Sequence, residues 1–330
     1  MKKVFVTGIN GLLGTNLVET LLENNYFVKG LIRDKAKFEG NNHLNLELYQ
    51  GNLFDDLTSA LNNIDYVIHI AAETNQSLIN YRDYQKINYD ATIQLFNAAI
   101  NCNVKKFIFV STANTLGFGS LSDLGDETKR IKLPFTTSFY AKSKLETEEY
   151  LLQKSDKMKL IIVNPTFMLG AYDTKPSSGR IILMGWKKKI LFYPPGGKNF
   201  VHVKDVASGI IKSLEKGRNK EKYILANKNL SYFEFFEKLN LIANQNPIMI
   251  KIPKPLLIGL GYLGDLIRLL KIKTSISSTN MKALCIDNFY SNEKSIQELG
   301  INYRHTEVAI NDALKYFESR TKFNKTAHHK

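Results

Sequence analysis

Two residues in the stretch SFYAKSK, Tyr140 and Lys144, have the types and spacing for proton transfer. Positions i and i+4 lie one turn apart on a helix, so both side chains would project from one face toward a single bound molecule. A free phenol titrates near pH 10, and a neighbouring ammonium would stabilise its phenolate and bring it closer to neutral use. Near the N-terminus, TGINGLLG places Gly8, Gly11 and Gly14 after a strand-like run and at the opening of a helix. The strand, glycine turn and helix are the context that a dinucleotide site requires. Gly8 allows a tight turn, Gly11 a close approach of the backbone to a pyrophosphate, and Gly14 close packing of helix on sheet. The N–H groups at the helix start, at Leu12 and Leu13, would face the anion. At the end of the second strand, LIRDK offers Arg33, with Lys35 and Lys37 after it, to a ribose 2′-phosphate, while Asp34 leaves room for a free 2′-hydroxyl. NADP is the expected cofactor and NAD the second choice.

The elements that would position these groups are legible as an alternation. KKVFVTG, YFVKGLIR, LELYQGN, DYVIHIAA, KKFIFVST and MKLIIVNP read as strands, and LLGTNLVETLLENN, YQKINYDATIQLFNAAINC and FYAKSKLETEEYLLQKS carry helical periodicity. Apolar runs separated by helices predict an α/β fold, a doubly wound parallel sheet of Rossmann type. The expected organisation is a nucleotide-binding domain over 1–165, to which 200–226 returns. A smaller, mostly helical substrate lobe would be built from 166–199 and 227–322, with 323–330 as a frayed tail.

The chain has 330 residues and a formal charge of +14, with its basic residues scattered in short groups. No basic module interleaved with aromatics stands out, so nucleic acid is not an expected partner. The two cysteines, Cys102 and Cys285, have no metal-site or disulfide spacing, and no metal is expected. The apolar start is too short for an export signal, which points to the cytoplasm. PLLIGLGYLGDLIRLL, residues 255–270, is interrupted by Asp265 and Arg268 and falls short of a membrane span. It reads as a buried helix or a pocket wall, with a peripheral membrane contact left open. His69, inside a strand run, reads as a satisfied core histidine.

With these pieces in order, the sequence resembles the extended short-chain dehydrogenase/reductase family, on its dihydroflavonol reductase-like branch. The resemblance rests on TGINGLLG, GNLFD, HIAAET, INYDAT, FVSTANTLG, YAKSK, NPTFMLG, PSSGRII and FVHVKDVASG, in that order along nearly the whole chain. It implies that Asn52 and Leu53 border the adenine and that Ala71 and Ala72 pass the pyrophosphate and ribose. It also implies that Asn88 belongs to the cofactor site and that Pro165 and Thr166 meet the nicotinamide. The catalytic hydroxyl falls on Thr112, with Ser111 one place before it as the alternative, and Tyr140 and Lys144 complete the set, both also touching cofactor.

The resemblance implies an NADPH-dependent reductase of an aldehyde or ketone on a small organic substrate, with the proton supplied by Tyr140. A nucleotide-sugar epimerase would use the same residues and is the alternative. Dehydration is disfavoured because Ala113 and Asn114, not an acid, follow Thr112. A non-catalytic cofactor sensor is the remote reading, since such a chain would lack Tyr140 or Lys144. A homodimer is compatible with the sequence.

Overall fold

The computed structural model describes the backbone of residues 1–327 and the side chains through Thr321. The first half alternates as the apolar runs predict: β1 (Lys3–Thr7), α1 (Leu12–Glu23), β2 (Phe27–Ile32), β3 (Leu46–Gln50), α2 (Thr58–Leu61) and β4 (Tyr66–His69). α3 (Tyr81–Tyr84) runs through a π-helical turn at Gln85–Asp90 into α4 (Ala91–Asn101), followed by β5 (Lys106–Val110), α5 (Phe139–Lys154) and β6 (Lys159–Pro165). The second half holds β7 (Phe167–Leu169), α6 (Arg180–Gly185), β8 (Ile190–Tyr193), β9 (Gly197–His202), α7 (Val203–Lys216) and β10 (Glu221–Leu225). It ends with β11 (Lys228–Ser231), α8 (Tyr232–Ile242), β12 (Ile248–Lys251), α9 (Lys254–Leu269), α10 (Ser278–Ala283), β13 (Asp287–Asn288), α11 (Glu293–Leu299) and α12 (Thr306–Ala327).

Seven strands form one sheet in the order β10-β6-β5-β4-β1-β2-β3, and every pairing in it is parallel. Parallel neighbours need crossovers, so helices cover both faces and the strands are apolar on both sides. Val4, Val6, Ile68, Ile108 and Val163 face the core shared with α1 and α7. Phe5, Val67, Phe107, Phe109 and Ile162 face the core shared with α4 and α5. The direction of strand order reverses between β1 and β4, and in such sheets the crevice at the carboxyl ends of the reversing strands is where ligands bind.

The second half corrects the sequence reading in four places. Residues 200–202, expected to return to the nucleotide domain, are the end of β9, which pairs with β7, β11 and β13 in a second sheet. Within the expected span, α7 and β10 join the layers of the large sheet. YPPGGKN, taken for a loop, is largely strand: its ends lie in β8 and β9, so the lobe contains short sheets as well as helices. The helical assignment of α12 continues to Ala327, five residues into the expected frayed tail; nothing in KFNKTA interrupts a helix as Gly or Pro would. Positions 328–330 lie outside the described residues. Finally, α9 is not a buried helix. Only Leu257, Gly261 and Gly264 of it are buried, while Leu256, Leu263 and Leu266 are each more than half exposed.

The glycine turn is built as close packing demands. Gly8 has φ +75, a conformation that L side chains rarely adopt. A Cβ on Gly14 would lie 2.0 Å from the Gly8 carbonyl oxygen, so α1 can reach the sheet only with glycine there. Replacing Gly14→Ala is expected to destabilise the protein by about 1–3 kcal/mol, the usual range for forced overpacking; a urea melt showing no loss would contradict this account of the turn.

Candidate active site

The carboxyl ends of β1 and β4 meet at the reversal point. A Cβ on Gly8 would stand 2.8 Å from the Ala71 backbone nitrogen, and the Thr7 hydroxyl accepts hydrogen bonds from the Ile70 and Ala71 amides at 3.2 Å. The rim of the crevice is therefore bare backbone. Gly11 caps α1 without a side-chain bond, and the first turn holds no acidic residue. The early N–H groups of a helix have no intrahelical partner, and here those at Leu12 and Leu13 have no capping side chain of their own helix. A Cβ on Gly11 would meet nothing closer than 3.6 Å, so glycine at this position is not demanded by the protein's own packing. Leu12 and Leu13 send their side chains into the core beneath. This cradle fits a pyrophosphate.

Around it, Arg33 is exposed at the end of β2 and makes no ion pair among the described residues. Asp34 instead turns to its own backbone, accepting from the Ala36 amide at 3.1 Å, and lies 3.4 Å from the Lys37 ammonium. Asn52 follows β3, its side chain accepting weakly from the Phe54 amide, and Leu53 is half-buried against the core under α4. Ala72 is half-buried, as is Ala71, and Pro165 is buried at the end of β6. Thr166 donates its hydroxyl to Asn199 at 2.7 Å.

The Asn88 side chain is fully buried, accepting from the Glu73 amide at 2.7 Å while donating to the Glu73 carbonyl and the Ser143 hydroxyl. These bonds tie the loop after β4 to α5, and the residue lies in the π-helical turn at Gln85–Asp90.

On α5, Ser138 caps the helix through the Ala141 amide at 3.3 Å, which sets Tyr140 in the first turn. Lys144 is 1% exposed and donates to the Val110 carbonyl at 2.7 Å, with its ammonium 4.0 Å from the Phe109 ring centroid. Burial brings Lys144 down to about 7, partly offset by the charge of Glu148. Burial also pushes the Tyr140 phenol up to about 12, an effect opposed by the Thr112 hydroxyl and reinforced by Glu148. The sequence expectation is that Lys144 and the positive nicotinamide of the oxidised cofactor act together to lower the phenol's pKa. The lysine points at the end of β5, and desolvation dominates both groups.

Ser111 and Thr112 are distinguished by their partners. Ser111 is buried and donates to the Glu148 carboxylate. The Thr112 hydroxyl accepts from the Asn114 amide at 3.3 Å, stays half-exposed and interacts with Tyr140. Glu148 is the residue sequence reasoning missed. It is fully buried, and one of its oxygens accepts from Ser111, from Thr115 at 2.7 Å and from Asn164 at 2.9 Å. The other oxygen meets the Lys222 ammonium at 2.5 Å. The signal was available: Tyr140, Lys144 and Glu148 continue the same i+4 row on one helix face. Lys198 on β9 has its ammonium 5.0 Å from the Phe167 ring centroid, and desolvation brings its pKa to about 8. His69 is as expected, fully buried between Thr7 at 2.7 Å and Thr92 at 2.8 Å.

A profile of the NAD dependent epimerase/dehydratase family matches residues 4–226. The chain belongs to that family. It is an NAD(P)-dependent enzyme of the extended short-chain dehydrogenase/reductase type. A Synechocystis protein provisionally named a dihydroflavonol 4-reductase is 25% identical over 323 residues, 96% of this chain and 94% of its own. A Dictyostelium discoideum sterol-4-alpha-carboxylate 3-dehydrogenase (decarboxylating) is 29% identical over 286 residues, 81% of this chain and 85% of its own. Among solved structures, gox2253 is 29% identical with a TM-score of 0.83, over 97% of this chain and 99% of its own. No helix among the described residues is long and apolar enough to cross a membrane.

The Lys144 environment gives a pH signature with a definite sign. The unfolded chain holds the lysine proton up to about 10.5 and the folded protein only to about 7, so between these values the unfolded state binds more protons and stability rises with pH. Thermal melts of the cofactor-free protein should show this rise, and Lys144→Met should flatten it across the window from about 7 to about 10.5. Identical pH profiles for the two proteins would rule the account out.

Proposed function

We propose that this protein is an NADPH-dependent reductase of a carbonyl group on a small organic substrate. The observation that carries the reading is that the half-exposed Thr112 hydroxyl, just past β5, lies near enough to the Tyr140 phenol to oppose its rise, with Lys144 one turn along α5 from that phenol. The bound nicotinamide supplies the hydride. Negative charge then develops on the substrate oxygen and must be met by donors as it forms. Thr112 donates to that oxygen and orients it, and Tyr140 releases its phenolic proton to it. A phenol held near 12 is a poor acid by itself, so loss of its proton requires added positive charge nearby. Lys144, able to take up a proton near neutrality, provides part of that charge. Glu148, locked by its four side-chain partners, keeps the helix face in register.

Cofactor selection follows from the end of β2. Arg33 is free to meet a 2′-phosphate, while Asp34 is occupied by its own turn, and this supports NADPH over NADH. The substrate lobe favours a reductase because both named relatives, each called a reductase or dehydrogenase, match past residue 226 into the lobe. The half-buried Lys198 ammonium supports a substrate with a carboxylate or other anionic group on the lobe side. We assign substrate selection to the lobe, built from 166–202 and 227–321, and cofactor binding to the remainder.

Purified protein titrated with both cofactors should prefer NADPH, and Arg33→Ser should reduce that preference by about tenfold, the scale of one lost charge-assisted contact. Gly11→Ala should leave the melting temperature nearly unchanged yet weaken both cofactors, since the added methyl meets the pyrophosphate and not the protein. In a screen of carbonyl compounds, consumption of NADPH absorbance should fall at least about a hundredfold in Tyr140→Phe. Cofactor retained through purification with no net oxidation would replace this reading by the epimerase.

A further inference from the structure

Helix α9 inverts the usual burial pattern. Its inward row is Leu257, Gly261 and Gly264. A Cβ at Gly261 would fall 2.8 Å from the Cα of Ser278, and one at Gly264 would fall 2.2 Å from the Ile276 carbonyl oxygen. The helix is thus pressed against the segment that follows it by residues too small to bury much area. Its large apolar side chains point outward: Leu256, Leu260, Leu263, Leu266 and Leu270 are 41–71% exposed, at spacings of three and four that place them along one face. The strands leading into it behave alike. Ile248 and Ile250 on β12 pair with Ile190 and Phe192 on β8, and all four are 41–66% exposed. Rows of exposed large apolar side chains, one along α9 and one across β8 and β12, mark an interaction site.

The charges around it identify the occupant. Residues 247–276 contain five basic side chains, Lys251, Lys254, Arg268, Lys271 and Lys273, against one acid, Asp265. Asp265 is turned inward, accepting from the Ser278 amide at 3.1 Å. The lysines stand at the two ends of α9, all exposed, and none is ion-paired among the described residues. KKK at 187–189 precedes β8 in the same way. An apolar face flanked by lysines complements a bilayer, with leucines among the acyl chains and ammonium groups at anionic headgroups. A second protein copy would need matching acids, and this surface offers none to its own lysines.

We infer that α9, with the β8/β12 ribbon, docks this protein peripherally onto an anionic lipid surface. The docked hairpin adjoins the active site: Arg268 donates to the Gln76 carbonyl at 2.6 Å in the loop after β4. The hydroxyls of Thr279 on α10 and Thr137, three residues before Tyr140, are 2.9 Å apart. Docking would hold the substrate cleft near the headgroups. The inference does not depend on which reaction the site performs.

The full chain should co-sediment with vesicles of phosphatidylcholine mixed with phosphatidylglycerol, and much less with phosphatidylcholine alone. Binding should weaken with salt and fall roughly fivefold for each of Lys251, Lys254, Lys271 and Lys273 changed to Gln. The pair Leu263→Glu and Leu266→Glu, both exposed, should abolish sedimentation while leaving cofactor affinity and the melting temperature intact. Binding that survives this pair would overturn the inference. So would a chain that ignores both vesicles but changes from dimer to monomer in ultracentrifugation with the same substitutions, since a second copy would then be the occupant.

Discussion

Glu148 is a carboxylate with no solvent exposure, and the active side of the sheet is arranged around it. A buried charge of this kind is tolerated only when its oxygens are fully engaged. Ser111 at the end of β5, Thr115 in the loop beyond it, Asn164 near the end of β6 and Lys222 on β10 all converge on it. One side chain of α5 therefore ties together three adjacent strands, β5 and β6 at their carboxyl ends and β10 near its start. The constraint separates the two hydroxyls: Ser111 donates to the carboxylate, while Thr112 accepts from the Asn114 amide and stays half-exposed.

The same helix face explains the paired departures of Tyr140 and Lys144 from their ordinary titration. Both are desolvated, and both feel Glu148, but the consequences are opposite because one group becomes charged by losing a proton and the other by holding one. Burial therefore keeps the phenol protonated and brings the amine close to neutrality. Asn88 binds the loop after β4 to Ser143, which lies between Tyr140 and Lys144 on α5.

The large sheet and the lobe use glycine for different ends. In the turn after β1, glycines bring a helix start and a strand end together so that backbone, and not side chains, forms the rim of the crevice. In α9, glycines bring a helix against its neighbour and leave the leucines with nowhere to go but outward. The family profile covers the first arrangement and stops at residue 226, ahead of the second.

The alternation of strands and helices, the glycine turn and the Tyr140–Lys144 pair were legible in the sequence, because periodicity and short-range spacing are local properties that survive without knowledge of partners. What local pattern could not decide was long-range. The bonds joining Glu148 to Ser111, Asn164 and Lys222 span 16 to 74 positions, and Asn88 lies in a π-helical turn with no sequence signature. The apolar run at 255–270 suggested burial by composition alone. Only the packing of Gly261 and Gly264 against the following segment decided that its leucines face out, since which face of a helix is covered depends on what stands beside it.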